Sequence, residues 1–403
     1  MKEGASVCDP RERVAFSIST GELERRWALA REAMGEHKID YLLMRGDEQF
    51  LGGYVRWFTD VPARDSYPFT VIFPRDEEMT LISVGAMPPG DPAPPPWAVR
   101  GVKKRLSAPY FPTAHYTHTY DAQLAADVLK EKTDAVIGLV GRSFIPVNFH
   151  EYLVAQLPGA RFTDMTESID RLKAIKSGEE IGLIRRTAAL QDAVLEQVRK
   201  TVRPGMRDAD IHAEVLSAAV RQGSERQLIL VGSAPRGVPA VFQPPHHQNR
   251  IIREGDQVSL LIEVNGPGGY YAEIARMFSI GRPTQELVDA FAYAVEAQTH
   301  SLSLMKPGAG PGEILQANNA FLGKEGYKPE LRLYAHGQGY DLVERPFFLS
   351  DETMALRAGM NIAAHPAAAT DTLWCAVCDN YIIGSDGPGE CLHKTPKEII
   401  VVT

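Results

Sequence analysis

The chain has 403 residues, 44% hydrophobic and 23% charged, the balance of a globular protein of two or three domains and not of a disordered or fibrous one. A net charge of −8 excludes the basic face that nucleic acid requires, and no apolar run approaches the ~18–20 residues of a membrane-spanning helix. Four cysteines are too few for a disulfide scaffold, and the polar start "MKEGASVCDPRERVAF" lacks the apolar centre of a secretory signal, so the expectation is a cytoplasmic protein.

From the N-terminus, "TGELERRWALAREAMGEH" predicts an amphipathic helix, and "YLLMR", "FTVIFP" and "MTLISV" predict strands. "MPPGDPAPPPW" predicts a Pro-rich surface loop. "AVIGLVG" predicts another strand, and "NFHEYLVAQL" a helix. The expectation is an α/β domain over residues 1–165. A linker follows, and then "KSGEEIGLIRRTAALQDAVLEQVRKTV", where Ser177 and Glu180 have the spacing of a capping box.

The second part, 166–403, carries an internal repeat. "VRPGMRDADIHAEVLSAAVRQG" and "MKPGAGPGEILQANNAFLGKEG" both place an Ile seven residues after Pro-Gly, both follow a long helical stretch, and both precede a strand ("QLILVG", "LRLYAHG"). Two related halves should pack around one sheet with a cleft at their junction.

Five places in this part carry chemistry-bearing side chains. In "LLIEVNGPGGYYAEIAR", Glu263 and Glu273 flank a Gly/Pro turn; centred near Gly268, a hairpin opposes them on one face about 5 Å apart at Cβ. Two carboxylates there repel, so either one carries a proton or a cation lies between them. The other places are "PPHHQN" (His246, His247), "AHGQGYDLVERP" (His336), "NIAAHPAAA" (His365) and "WCAVCDN" (Cys375, Cys378, Asp379). The two cysteines do not read as a thioredoxin site, because a strand-like "DNYIIGSDG" follows where that chemistry needs a helix.

In this order the five places resemble the pita-bread family of methionine aminopeptidase, prolidase, aminopeptidase P and creatinase. "GDQVSLLIEV", "HGQGYDLVERP", "LRAGMNIAAHP" and "NYIIGSDGPGECL" carry much of the likeness. The resemblance implies an α+β chain: an N-terminal α/β domain, then a pita-bread domain with a pseudo-two-fold repeat. The peptidases of that family hold two metals on two Asp, one His and two Glu. Their positions fall here on Glu263, Glu273, His336, His365, and Cys378 or Asp379, so only the His keeps its identity. The implied cofactor is one divalent Zn, Fe or Mn ion, with metal-free catalysis as the alternative. Creatinase-like members place a water-activating His in the segment entering the hairpin, which here is His246 or His247.

The implied substrate contacts are Arg276 and Tyr340, with Arg56, Trp57 and Arg64 of "GGYVRWFTDVPARD" as a cover in a homodimer. The expected partner is a small-molecule substrate. The expected activity is hydrolysis of a C–N bond in a small nitrogen-containing compound. The alternatives are an Xaa-Pro peptidase, a lyase acting on a small sulfonium compound, and a noncatalytic peptide-binding module.

Overall fold

The computed structural model describes residues 16–85, 99–109, 114, 117 and 119–403; residues 1–15 and the Pro-rich stretch 87–97 lie outside the described residues. The chain divides into two compact units after Lys173.

The first unit contains α1 (Thr20–Glu36), β1 (Tyr41–Gly46), α2 (Gly53–Thr59), β2 (Phe69–Pro74), β3 (Met79–Val84), β4 (Val102–Ala108), α3 (Tyr120–Leu129), β5 (Val136–Val140), α4 (Val147–Gln156) and β6 (Arg161–Asp164), and leads into α5 (Thr166–Ala174). Its strands form one mixed sheet in the order β4-β3-β2-β1-β5-β6. Ala122, Leu129, Phe149 and Leu153 of α3 and α4 pack on Leu43, Ile72 and Ile137 of that sheet.

One expectation is corrected here. α2 turns Arg56 and Trp57 inward: Trp57 is 2% exposed and meets Phe58 edge-on at 5.0 Å. A side chain that fills a core cannot also cover a substrate on another subunit. Of the three cover residues only Arg64 reaches solvent, with its guanidinium over the Phe69 ring.

The second unit contains α6 (Gly178–Arg199), α7 (Asp208–Arg221), β7 (Gln227–Ala234), β8 (Gln257–Asn265), β9 (Tyr271–Ile280), α8 (Gln285–Leu304), α9 (Pro311–Lys324), β10 (Ala335–Gly337), β11 (Glu344–Phe347), β12 (Asn361–Ala364), β13 (Ala367–Ala369), β14 (Trp374–Ala376), β15 (Asp379–Ile383), β16 (Pro388–Cys391) and β17 (Ile400–Val402). Long helix, 14-residue helix and strand recur in the same order in α6-α7-β7 and α8-α9-β10. The second strand is shorter than "LRLYAHG" suggests, because the backbone pairs with β12 only from Ala335 onward.

The sheets run β17-β9-β8-β7 and β11-β10-β12-β15-β16. They meet where Ala275 and Cys378 exchange two backbone hydrogen bonds of 3.2 Å. Side-chain alternation then sorts β8 and β9. Leu260, Ile262, Val264, Ile274 and Phe278 pack on Leu190, Val194, Val198, Ile211 and Val215 of α6 and α7. Leu261, Glu263, Glu273 and Ala275 take the opposite face, where Leu261 and Ala275 pack with Ala363 and Cys378. Every residue of both strands is buried.

α6 is fixed at its N-terminus and again in its middle. The Ser177 hydroxyl accepts from the Glu180 amide at 3.2 Å, and the Glu180 carboxylate accepts from the Ser177 amide at 2.7 Å. Further along, the buried Gln191 amide donates to the Val264 and Ala272 carbonyls of the hairpin. Replacing Ser177 by Ala removes one of the two cap bonds; a loss of about 1 kcal/mol in urea unfolding is expected, with no change in the denaturant slope.

Candidate functional site

The hairpin register pairs Glu263 with Glu273 directly, and the turn between them centres on Gly268, which has a φ of 94° open to glycine at little cost. The two buried carboxylates respond differently to their surroundings. Burial pushes the Glu263 carboxyl well above the usual carboxylate range, and the neighbouring Glu273 charge pushes it the same way. Burial also acts to raise Glu273, but the His365 and His336 imidazoles beside it outweigh that effect and lower the carboxyl to about 2. These surroundings favour the proton on Glu263 and the negative charge on Glu273.

His336 sits on β10 and His365 just after β12. His336 Nε2 lies 3.5 Å from Glu273 Oε2, His365 Nε2 lies 4.0 Å from Glu273 Oε1, and the two imidazole rings are 5.4 Å apart. His336 Nδ1 is 2.9 Å from the Gly337 carbonyl oxygen. A carbonyl only accepts, so Nδ1 carries a proton and Nε2 faces the carboxylate. Burial lowers His365 to about 4, against the pull of Glu273. Glu273 Oε2 and His365 Nε2 are buried and make no hydrogen bond.

Supporting amides hold this group in place. Gln338 Nε2 donates to Glu263 Oε1 at 2.7 Å, Asn380 Nδ2 donates to Gln338 Oε1 at 2.9 Å, and the Glu273 amide donates to Asn380 Oδ1 at 2.6 Å. Asn361 joins them through Asn380 Nδ2 at 3.2 Å. Sequence reading missed Gln338, Asn361 and Asn380. Strand parity was the available signal: Gln338 stands two positions after His336, and Asn380 two after Cys378.

The remaining expected residues fall elsewhere. Arg276 cannot bind substrate, because its buried guanidinium already donates to the Asp379 carboxylate at 2.7 Å and to the carbonyls of Ala275, Cys378, Thr395 and Pro396. All five of its N–H groups are engaged. Asp379 is correspondingly not a ligand beside Glu273: it is the counter-ion of Arg276, and also accepts from Gln298. Alternation across the strand sends Cys378 toward the hairpin and Asp379 to the opposite side. Cys378 Sγ lies 3.5 Å from the Glu273 carbonyl oxygen, and burial raises its thiol far above the usual range, so it stays neutral. Cys375 is a free thiol in a strand. Tyr340 is buried and packs against Tyr270 with ring centres 4.1 Å apart. His246 and His247 are exposed in a short turn, their rings 4.2 Å apart, outside the buried group.

Among the described residues, the group whose ligand atoms all lie within 4.8 Å of one another is Glu273, His336 and His365. A two-metal centre does not fit this donor set. It needs carboxylates that bridge, and an imidazole Nε2 offers a single lone pair, while Asp379 is consumed by Arg276. One ion fits.

Two measurements test this electrostatic reading. In chelator-treated protein, folding takes up a proton at Glu263 above pH 4.5, so that residue costs stability increasingly as pH rises. Glu263→Gln should therefore be more stable than the parent at neutral pH, with the difference vanishing as pH falls to 4.5. Identical pH profiles in thermal unfolding would mean that Glu263 is ionised. Arg276→Met should cost about 3–5 kcal/mol in urea unfolding, because Asp379 becomes a buried charge without its partner.

A model of metallopeptidase family M24 matches residues 182–387. The probable dipeptidase PepE of Mycobacterium tuberculosis is 28% identical over 241 residues, covering 59% of this chain and 63% of that protein. The chain thus spans less than two thirds of the length of the PepE relatives it matches. The ectoine hydrolase of Halomonas elongata is 25% identical over 314 residues, 72% of this chain and 77% of that one. Among solved structures, an X-Pro aminopeptidase from Thermotoga maritima superimposes with a TM-score of 0.79 at 16% identity, over 94% of this chain and 99% of that one. Dipeptidase PepE from Mycobacterium ulcerans gives 0.77 at 21% identity, over 96% and 100%. The solved structures share the fold, the family model spans the repeat with its hairpin and both histidines, and the chain belongs to metallopeptidase family M24.

Proposed function

We propose that this chain is a hydrolase that cleaves a C–N bond in a small nitrogen-containing compound. The observation that carries the reading is geometric: two opposed, buried carboxylates, Glu263 and Glu273, beside two imidazoles, in surroundings that raise the proton affinity of the first and lower that of the second. Hydrolysis of a C–N bond needs a water oxygen held against the carbon, relief of the charge that develops there, and a proton for the departing nitrogen. Glu263 retains a proton at neutral pH and delivers it to that nitrogen. Glu273 keeps its negative charge and, with His336 and His365, fixes the attacking water and draws positive charge to the reacting centre. Carboxylates whose surroundings push their proton affinities apart serve acid and charge-holding roles in this way. His246 and His247 lie outside this group, so the proton released by the attacking water falls to the Glu273 carboxylate or the His365 imidazole within it.

The altered donor set favours a small substrate over a peptide, since four of the five peptidase ligand positions carry other residues. The similarity to an ectoine hydrolase supports the same direction, and the similarity to PepE supports the second reading, a dipeptidase. A screen of cyclic amidines, guanidino acids and dipeptides, Xaa-Pro dipeptides included, separates them by which class is turned over. On the substrate so found, Glu273→Gln should lower kcat by roughly 10²–10⁴-fold with the fold intact by circular dichroism. Full activity together with a raised melting temperature would make the pair structural and remove the proposal.

A further inference from the structure

We infer that Glu273, His336 and His365 form a mononuclear site for one divalent transition-metal ion, a centre of two imidazoles and one carboxylate in place of a two-metal cluster. The first ground is distance. Donors about 2.0–2.2 Å from a shared ion stand no more than about 4.4 Å apart. The three ligand atoms lie within 4.8 Å of one another, so a small rotation of the side chains closes the set.

The second ground is the unmet valence of the donors. Glu273 and His365 are 3% and 8% exposed, and each directs an atom without a hydrogen bond into the same space. His336 has its Nδ1 proton committed to the Gly337 carbonyl, which leaves Nε2 as the ring atom facing Glu273 Oε2 at 3.5 Å, in position to share an ion with it. A backbone carbonyl accepting from the far ring nitrogen is also the usual support of a metal-bound imidazole, since it fixes the tautomer and the ring plane.

The third ground is the lack of a second set. Glu263 Oε1 is taken by Gln338, Asp379 by Arg276 and Gln298, and Cys378 packs with Leu261, Ala275 and Ala363. Nitrogen and oxygen donors in this ratio suit Zn²⁺, Fe²⁺ or Mn²⁺. Such an ion, when bound, supplies a Lewis acid that polarises water or a carbonyl group. The inference stands on donor geometry and not on the hydrolase reading. A negative metal titration leaves the substrate screen untouched, and an empty screen leaves the ion count untouched.

The test strips the full chain with chelator and titrates it with Co²⁺, followed by elemental analysis of the dialysed complex and by its visible spectrum. One Co²⁺ per chain is expected, with bands of nitrogen and oxygen coordination and no thiolate-to-cobalt band. His336→Gln and His365→Gln should each weaken binding by more than the about 10–100-fold that losing a supporting residue costs. Glu263→Gln should keep a stoichiometry of one. Failure to retain Co²⁺, two ions per chain, a thiolate band, or undiminished affinity in folded His336→Gln and His365→Gln proteins would each overturn the inference. Should either variant fail to fold, the count and spectrum of the unsubstituted chain decide it.

Discussion

Two carboxylates face each other on a hairpin buried on both faces, and the surrounding structure is organised around that conflict. Register alone creates it. A slip of one residue between β8 and β9 would carry one glutamate into the Leu190–Val198 side of the sheet and expose apolar groups to the site. The Gly268 turn and the Gln191 amide, which clamps both strands to α6, prevent that slip. Once the register is fixed, the site must distribute one proton and one charge. Burial of Glu263, against the opposing donation from Gln338, and the two imidazoles around Glu273 settle which is which.

The chain shows how a fold can keep its frame while its chemistry is rewritten. Of the two residues that the family resemblance offers for the last ligand position, Cys378 faces the hairpin and Asp379 is turned to the opposite side of its strand and bound to Arg276. That guanidinium in turn ties β9 to the carbonyls of Thr395 and Pro396, so the Asp379 carboxylate belongs to the frame. The alternation of strand side chains leaves no intermediate position: a residue at 378 looks toward the hairpin and one at 379 looks away.

Much of this was legible in the residue order. The capping box at Ser177, the repeat of Pro-Gly helices, the hairpin and its opposed glutamates all rest on local rules of spacing and turn chemistry, and those rules need no knowledge of the distant chain. The burial of Arg56 and Trp57 was not legible, because a short helix with both polar and aromatic residues reads equally well as surface. Nor was the occupation of Arg276, three of whose five donors find carbonyls more than a hundred residues away. Gln338 and Asn380 escaped notice because amides carry no charge to attract attention, although parity placed them correctly. Tertiary partners, not local pattern, decide which polar residues are spent on architecture.

The burial of β8 and β9 on both faces has a consequence for motion. Amide hydrogens in strands so covered exchange with solvent only through the rarest, most extensive openings, whereas those of exposed turns exchange through local fluctuation. The exposed turn at His246 and His247 can thus breathe on fast timescales while the glutamate pair does not. The charge arrangement at the glutamate pair therefore persists between such openings.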